Sequence, residues 1–143
     1  MECKIYDLNY LAQYKYVVIL SKYQDKILLS RHKERNTWET QGGHIEYGET
    51  TLEAAKRELY EESGATDFSI IPLFDYWASD ATSWANGMVF MADIKELGNI
   101  PDSEMKEVKT FDFLPEELTY PDITPMLFCE AKAYFQKGLQ INL

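Results

Sequence analysis

The sequence predicts an α/β domain in which a mixed β-sheet lies between helices. Three observations carry this reading. Short β-branched and aliphatic runs recur along the chain, two other segments place apolar residues at helical spacing, and the two kinds of segment alternate. With 143 residues, the chain is long enough for one domain that buries about 70% of its unfolded surface. Residues 1–143 are read as that single domain, with no internal repeat or low-complexity tract.

The elements follow in order. Tyr16 to Leu20 and Lys26 to Ser30 are strand-like, and Gln24-Asp25 between them reads as a hairpin turn. Gly42-Gly43 and Gly48 bound a short turn that feeds a helix. Thr50, with Glu53 three residues later, is a capping-box start, so the helix begins at Thr50 or Thr51. Leu52, Ala55 and Leu59 give it an apolar stripe, and Gly64 suits the left-handed position that closes it. Phe68 to Trp77 and Met88 to Ile94 are further strands. Asp80 to Gly87 between them reads as a mobile loop that gates a pocket. Val108 to Phe113 is another strand, and Pro115-Glu116-Glu117-Leu118 a short helical turn. Ile123 to Gln136 carries Met126, Leu127, Ala131 and Tyr134 at the spacing of a last helix.

The helix after Gly48 carries the chemistry. About 100° of rotation per residue places Glu58, Glu61 and Glu62 in an arc roughly 100° wide beside the apolar stripe. Arg57 borders that arc, while Glu53, Lys56 and Tyr60 face solvent. Like charges at these spacings destabilise a helix by a few tenths of a kcal/mol per pair. Two unit charges about 4 Å apart near a surface repel by as much as ~4 kcal/mol. A solvated acidic face is the plain alternative, but a hard dication would neutralise the cluster. Mg²⁺ and Mn²⁺ favour such oxygen ligands together with phosphate oxygens.

Gly43, Glu49, Arg57, Glu58, Glu61, Glu62 and Gly64 fit the pattern G-x5-E-x7-R-E-U-x-E-E-x-G-U, where U is aliphatic. Seven fixed residues at usages of about 5–7% each match by chance on the order of 10⁻⁹ per start position. This pattern resembles the box of the Nudix hydrolase family, in its MutT-like branch. The resemblance implies an α/β/α sandwich and Mg²⁺- or Mn²⁺-dependent hydrolysis of a nucleoside diphosphate derivative, with a nucleoside triphosphate as one such substrate. It implies that Glu58, Glu61 and Glu62 hold metal, with the Gly42 carbonyl as a further ligand and Glu49 assisting through water or a second ion. The general base is then either Glu58 or an acid outside the box, with Glu107 first and Glu104 behind it. Arg57 orients a carboxylate and does not act as the base, because guanidinium keeps its proton. Two positions depart from the family pattern. Gln41 stands where proline is frequent, which predicts a less stiff turn, and Ala65 is smaller than the usual aliphatic, which predicts slightly looser packing.

Composition narrows the partners. The formal charge of −10 opposes long-range attraction of a polyanion, so a metal and nearby cations must invert the local sign. Arg31, Lys33 and Arg35 are the densest basic cluster, and Arg31 is the candidate phosphate contact. The same charge argues against an extended nucleic-acid groove, though an RNA end held by its terminal phosphates stays open. Trp38, Tyr47, Tyr76, Trp77 and Trp84 are the aromatics placed to stack a base. His32 and His44 read as surface or turn residues. No signal peptide or membrane span is legible, and two distant cysteines, Cys3 and Cys129, suit reduced thiols in a cytoplasmic protein. Dimers are common in the family, so a homodimer is compatible with the resemblance. Two other classes remain. A nucleotide-sensing module without turnover is disfavoured by the intact box. An isoprenyl diphosphate isomerase on the same fold would need a cysteine near the strand ends.

Overall fold

The computed structural model describes the backbone of residues 1–136 and the side chains of residues 1–133. Its elements are β1 (Glu2–Tyr6), β2 (Tyr16–Tyr23), β3 (Lys26–His32), β4 (Trp38–Glu39) and β5 (Gln41–His44). They continue with α1 (Thr51–Ser63), β6 (Ala65–Ser79), β7 (Trp84–Leu97), β8 (Met105–Phe111) and α2 (Thr124–Gln136). The sheet runs β1-β6-β7-β2-β3-β4, with β5 also on β2 and β8 on β3. It is mixed because β2 and β7 run parallel, Tyr16 opposite Gly87 through Tyr23 opposite Ile94, whereas the other pairings are antiparallel.

Alternation along β2 supplies two cores. Val17 and Ile19 join Leu28, Phe90, Ala54, Ala55 and Leu59 under α1. Leu20 joins Phe74, Val89, Met91, Leu127, Phe128 and Ala131 under α2. Successive strand residues point to opposite faces, so one strand seals both layers of the predicted sandwich.

The helix begins and ends as its sequence dictates. Thr50 Oγ1 accepts from Glu53 N at 3.1 Å, and Glu53 returns the bond to Thr50 N at 3.0 Å. Gly64 closes α1 at φ 80°, donating its N–H to the Tyr60 carbonyl. A Cβ there would also lie 2.6 Å from the Gly98 carbonyl oxygen. The buried face is Ala54, Ala55, Leu59 and Ser63. Leu52, expected on the stripe, is 39% exposed on the first turn.

Several expectations need correction. Gly42-Gly43 is not a free turn but lies in strand β5, with Val17 opposite Gly43 and Val18 opposite Gly42. The loop expected over Asp80 to Gly87 shrinks to Asp80–Ser83, because β7 already starts at Trp84. Asp80 Oδ1 accepts from Thr82 N at 2.8 Å and Ser83 N at 2.9 Å, so local side-chain bonding fixes a tight turn. Pro115 to Leu118 forms no helix. Trp38 N donates to the Glu117 carbonyl at 2.8 Å and Trp38 O accepts from Thr119 N at 2.9 Å, holding the segment extended beside β4. Strand β1 escaped notice because charged residues interrupt it and it pairs with β6 alone.

Gln41 also reverses its prediction. It is completely buried, and its Oε1 accepts from Ser21 Oγ at 2.6 Å while its Nε2 donates to Ser30 Oγ at 2.9 Å and Leu28 O at 3.3 Å. Ser30 Oγ in turn donates to the Glu62 carbonyl at 2.8 Å. On this side of β2, residues 16–19 pair with β5 and residues 21–23 with β3. The Gln41 amide bridges that split, so the segment is cross-linked rather than loosened. Buried partners left unsatisfied cost about 1–3 kcal/mol each. Gln41→Ala, which leaves Ser21 Oγ without its partner and takes one bond from Ser30 Oγ, is expected to lower stability by about 3 kcal/mol in urea titration. An unmoved midpoint would show that the bridge is not structural.

Candidate active site

The acidic face of α1 is organised around one guanidinium. Arg57 Nε donates to Glu49 Oε2 at 2.7 Å and Nη2 to Glu49 Oε1 at 2.9 Å, a two-pronged carboxylate bond. Its Nη1 reaches Glu58 Oε1 at 2.9 Å and Glu61 Oε2 at 3.2 Å, while Glu46 stands at 3.7 Å. Arg57 Nη2 also donates to the His44 carbonyl at 3.1 Å, which fastens the helix to the end of β5. Arg57 thus pairs with four glutamates at once, and its own pKa rises, led by the Glu49 bond. The same bond, with the Glu46 amide, pulls Glu49 down to about 2.

Glu62 stands apart. Its Oε1 accepts from Gly42 N at 2.7 Å, and no lysine, arginine or histidine among the described residues pairs with it. Burial pushes its pKa up to about 9; the Gly42 amide opposes this, while Glu58, Glu39 and Glu104 add to it. Glu58 is raised as well, by burial first and against the pull of Arg57. Gly43 lets backbone and carboxylate meet, since a Cβ there would lie 2.6 Å from Glu58 Oε1.

Among the described residues no three acidic, imidazole or thiol groups converge closely enough to chelate an ion as they stand. The reason is visible in the bonds above: Glu58 and Glu61 turn to Arg57, and Glu62 to Gly42. The donor set still fits a hard dication. It offers carboxylate oxygens, one of them buried without a basic partner, and the Glu61 side chain is 45% exposed, leaving it room to turn.

A cleft of about 610 Å³ opens at Glu62, Gly42 and Gly43 and extends to Trp84 and Asp80. Val18, Tyr76, Ala78, Ile123 and Leu127 belong both to its lining and to the core under α2. Of the aromatics singled out, Tyr76 and Trp84 line it. Trp38 instead packs edge-on to Phe111, Trp77 lies under Lys4, and Tyr47 is fully exposed. Lys15 Nζ lies 5.7 Å from the Trp84 ring.

The proposed phosphate contact and the proposed outer base neutralise each other. Arg31 Nε donates to Glu107 Oε1 at 2.7 Å across β3 and β8, and neither residue lines the cleft. Glu104 does line it, near Glu62, with His32 Nε2 3.7 Å from its carboxylate. His32 Nδ1 accepts from Glu34 N at 3.1 Å, which leaves the Nε2 side of the ring towards Glu104. His32 and His44, expected as surface or turn residues, and Arg35, expected only as part of the basic cluster, all line the cleft; Glu39 joins them, and nothing in its local spacing distinguishes it.

Comparison with known proteins agrees with this architecture. Residues 13–127 match the family model of the NUDIX domain. An RNA pyrophosphohydrolase of Sulfurovum sp. (strain NBC37-1) is 30% identical over 124 residues, covering 76% of this chain and 79% of that protein. A putative 8-oxo-dGTP diphosphatase, YtkD of Bacillus subtilis (strain 168), is 34% identical over 106 residues, covering 73% and 66%. The crystal structure of the Bacillus subtilis pyrophosphohydrolase BsRppH superposes with a TM-score of 0.82 at 26% identity, over 95% of this chain and 91% of that one.

The raised Glu62 pKa makes a prediction for the metal-free protein. The folded value of about 9 exceeds the ordinary carboxylate value of 4.5 that holds in the unfolded chain, so the folded state binds the extra proton. This group's contribution is full below about 4.5 and is lost as pH rises through about 9. In chelator, urea midpoints are expected to fall from pH 6 to pH 9 more steeply for the wild type than for Glu62→Gln. Parallel pH profiles would contradict the burial of that acid.

Proposed function

The chain belongs to the Nudix family and is a hydrolase, and from that premise we propose that it cleaves the phosphoanhydride of a 5′-triphosphate end, on RNA in the first place. The observation that carries this reading is the single cleft joining the Glu62 and Gly42 end to an aromatic wall of Tyr76 and Trp84. One end suits phosphates and the other a base. The RNA pyrophosphohydrolase and BsRppH relatives support a triphosphate carried on RNA. The chain's charge of −10 fits a protein that holds the end of a strand and not its length. Neither Cys3 nor Cys129 lines the cleft, which disfavours an isomerase using a cysteine.

Glu58, Glu61 and Glu62 would hold Mg²⁺ or Mn²⁺, with the Gly42 carbonyl as a further oxygen and Glu49 outside them. Such an ion neutralises charge on phosphoryl oxygens and lowers the pKa of a bound water. Arg57 keeps the carboxylates in place, anchored to Glu49 and the His44 carbonyl. Glu104, lining the cleft with an open carboxylate, is better placed than the Arg31-bound Glu107 to take the proton of an attacking water. No helix among the described residues is long and apolar enough to cross a membrane.

The test incubates the protein and Mg²⁺ with 5′-triphosphorylated RNA, free nucleoside triphosphates and 8-oxo-dGTP, and identifies the phosphorus products. Faster turnover of the RNA is expected, whereas exclusive use of free nucleotides would overturn the RNA assignment. Glu62→Gln and Glu61→Gln are each expected to lower kcat about 10²-fold or more, the equivalent of ~3 kcal/mol of lost charge stabilisation, with unchanged circular dichroism. Near-normal rates in both would remove them from the metal site.

A further inference from the structure

Besides His44, whose ring packs on Tyr16, five basic side chains stand near the cleft, and most are engaged elsewhere. Arg57 is ringed by glutamates, Arg31 is bonded to Glu107, Lys15 lies by Trp84, and His32 faces Glu104. Arg35 differs, because it lines the cleft and is aimed by a buried acid. Its Nη1 donates to Glu39 Oε1 at 3.2 Å, and Glu39 is 8% exposed. The same carboxylate oxygen accepts from Thr119 Oγ1 at 3.1 Å, and Thr119 shares a 2.7 Å hydroxyl contact with Thr37. Arg35 and Glu39 line the same cleft as Gly42 and Glu62, which places the pair within one ligand site with the acidic end of α1. The guanidinium also interacts with the Tyr120 side chain on the cleft wall, and with 45% of the Arg35 side chain exposed its remaining N–H groups are open to a ligand.

We propose that Arg35 reads the phosphate lying beyond the metal-gripped pair, with Glu39 as its positioning residue, and so favours a triphosphate end over a diphosphate. This rests on the phosphohydrolase reading above. A guanidinium can take a phosphate through two parallel N–H bonds, whereas an ammonium offers a point charge, so lysine is a poor substitute. The hydroxyl-supported Glu39 fixes the fork before the ligand arrives, which reduces the ordering cost of binding.

Calorimetry with inorganic tripolyphosphate and pyrophosphate, on the Mg²⁺-loaded protein, tests this without turnover. Arg35→Ala is expected to weaken tripolyphosphate about 10–100-fold and pyrophosphate less than about threefold. Arg35→Lys should recover only part of the loss, and Glu39→Gln should fall between the wild type and Arg35→Ala. In kinetics, Arg35→Ala should raise KM for the triphosphate while kcat stays within about threefold. Equal weakening of both polyphosphates, or none, in a variant whose melting curve matches the wild type would overturn the inference. Selective loss of tripolyphosphate in a protein that hydrolyses no triphosphate end would uphold Arg35 and remove the substrate assignment instead.

Discussion

The site depends on one buried amide. Gln41 joins Ser21 of β2 to Ser30 and Leu28 of β3 at the place where β2 changes partners, and Ser30 passes the connection to the carbonyl of Glu62. The last turn of α1 is therefore tied to the sheet by the residue that precedes Gly42. Because Gly42 donates to the Glu62 carboxylate, both ends of that residue, backbone and side chain, are located by neighbours in the same short stretch. Buried networks of this kind are rigid when every member is satisfied.

On that scaffold the electrostatics divide in two. Arg57 gathers Glu46, Glu49, Glu58 and Glu61, and Glu49 is held ionised by it. Glu62 receives no such help and meets only an amide dipole. One cation among five carboxylates leaves the site short of positive charge, and burial makes the imbalance costly at Glu62 and Glu58. A dication that recruits Glu58 and Glu61 must draw them from Arg57, whose hold on Glu49 and the His44 carbonyl can remain.

Short-range signals in the chain hold at several places, whereas features set by tertiary placement are not legible in any local stretch. The capping box at Thr50, the left-handed Gly64 and the Gln24-Asp25 turn, with φ of 52° and 62°, all follow from short-range geometry. So does the arc of glutamates on α1. By contrast, the strand that takes in Trp84 to Gly87 is fixed in part by β2, where Gly87 lies opposite Tyr16, a partner no local window contains. The mutual pairing of Arg31 and Glu107 joins residues 76 positions apart, and Glu104 and Glu62, far apart in the chain, line one cleft. Gln41 is a further case. By residue type it suggests a softer turn, and only its three partners on β2 and β3 reveal a cross-link.

The fixed letters of the motif are of unequal kind. Gly64 touches no acid; it is needed because the end of α1 abuts the Gly98 carbonyl, where any side chain would collide. Gln41, which carries the alignment of the last turn, lies outside the motif altogether. A drifting descendant of this chain could therefore keep every letter of the pattern and fall silent, or lose its final glycine and retain every group that does the chemistry while its architecture fails beneath it.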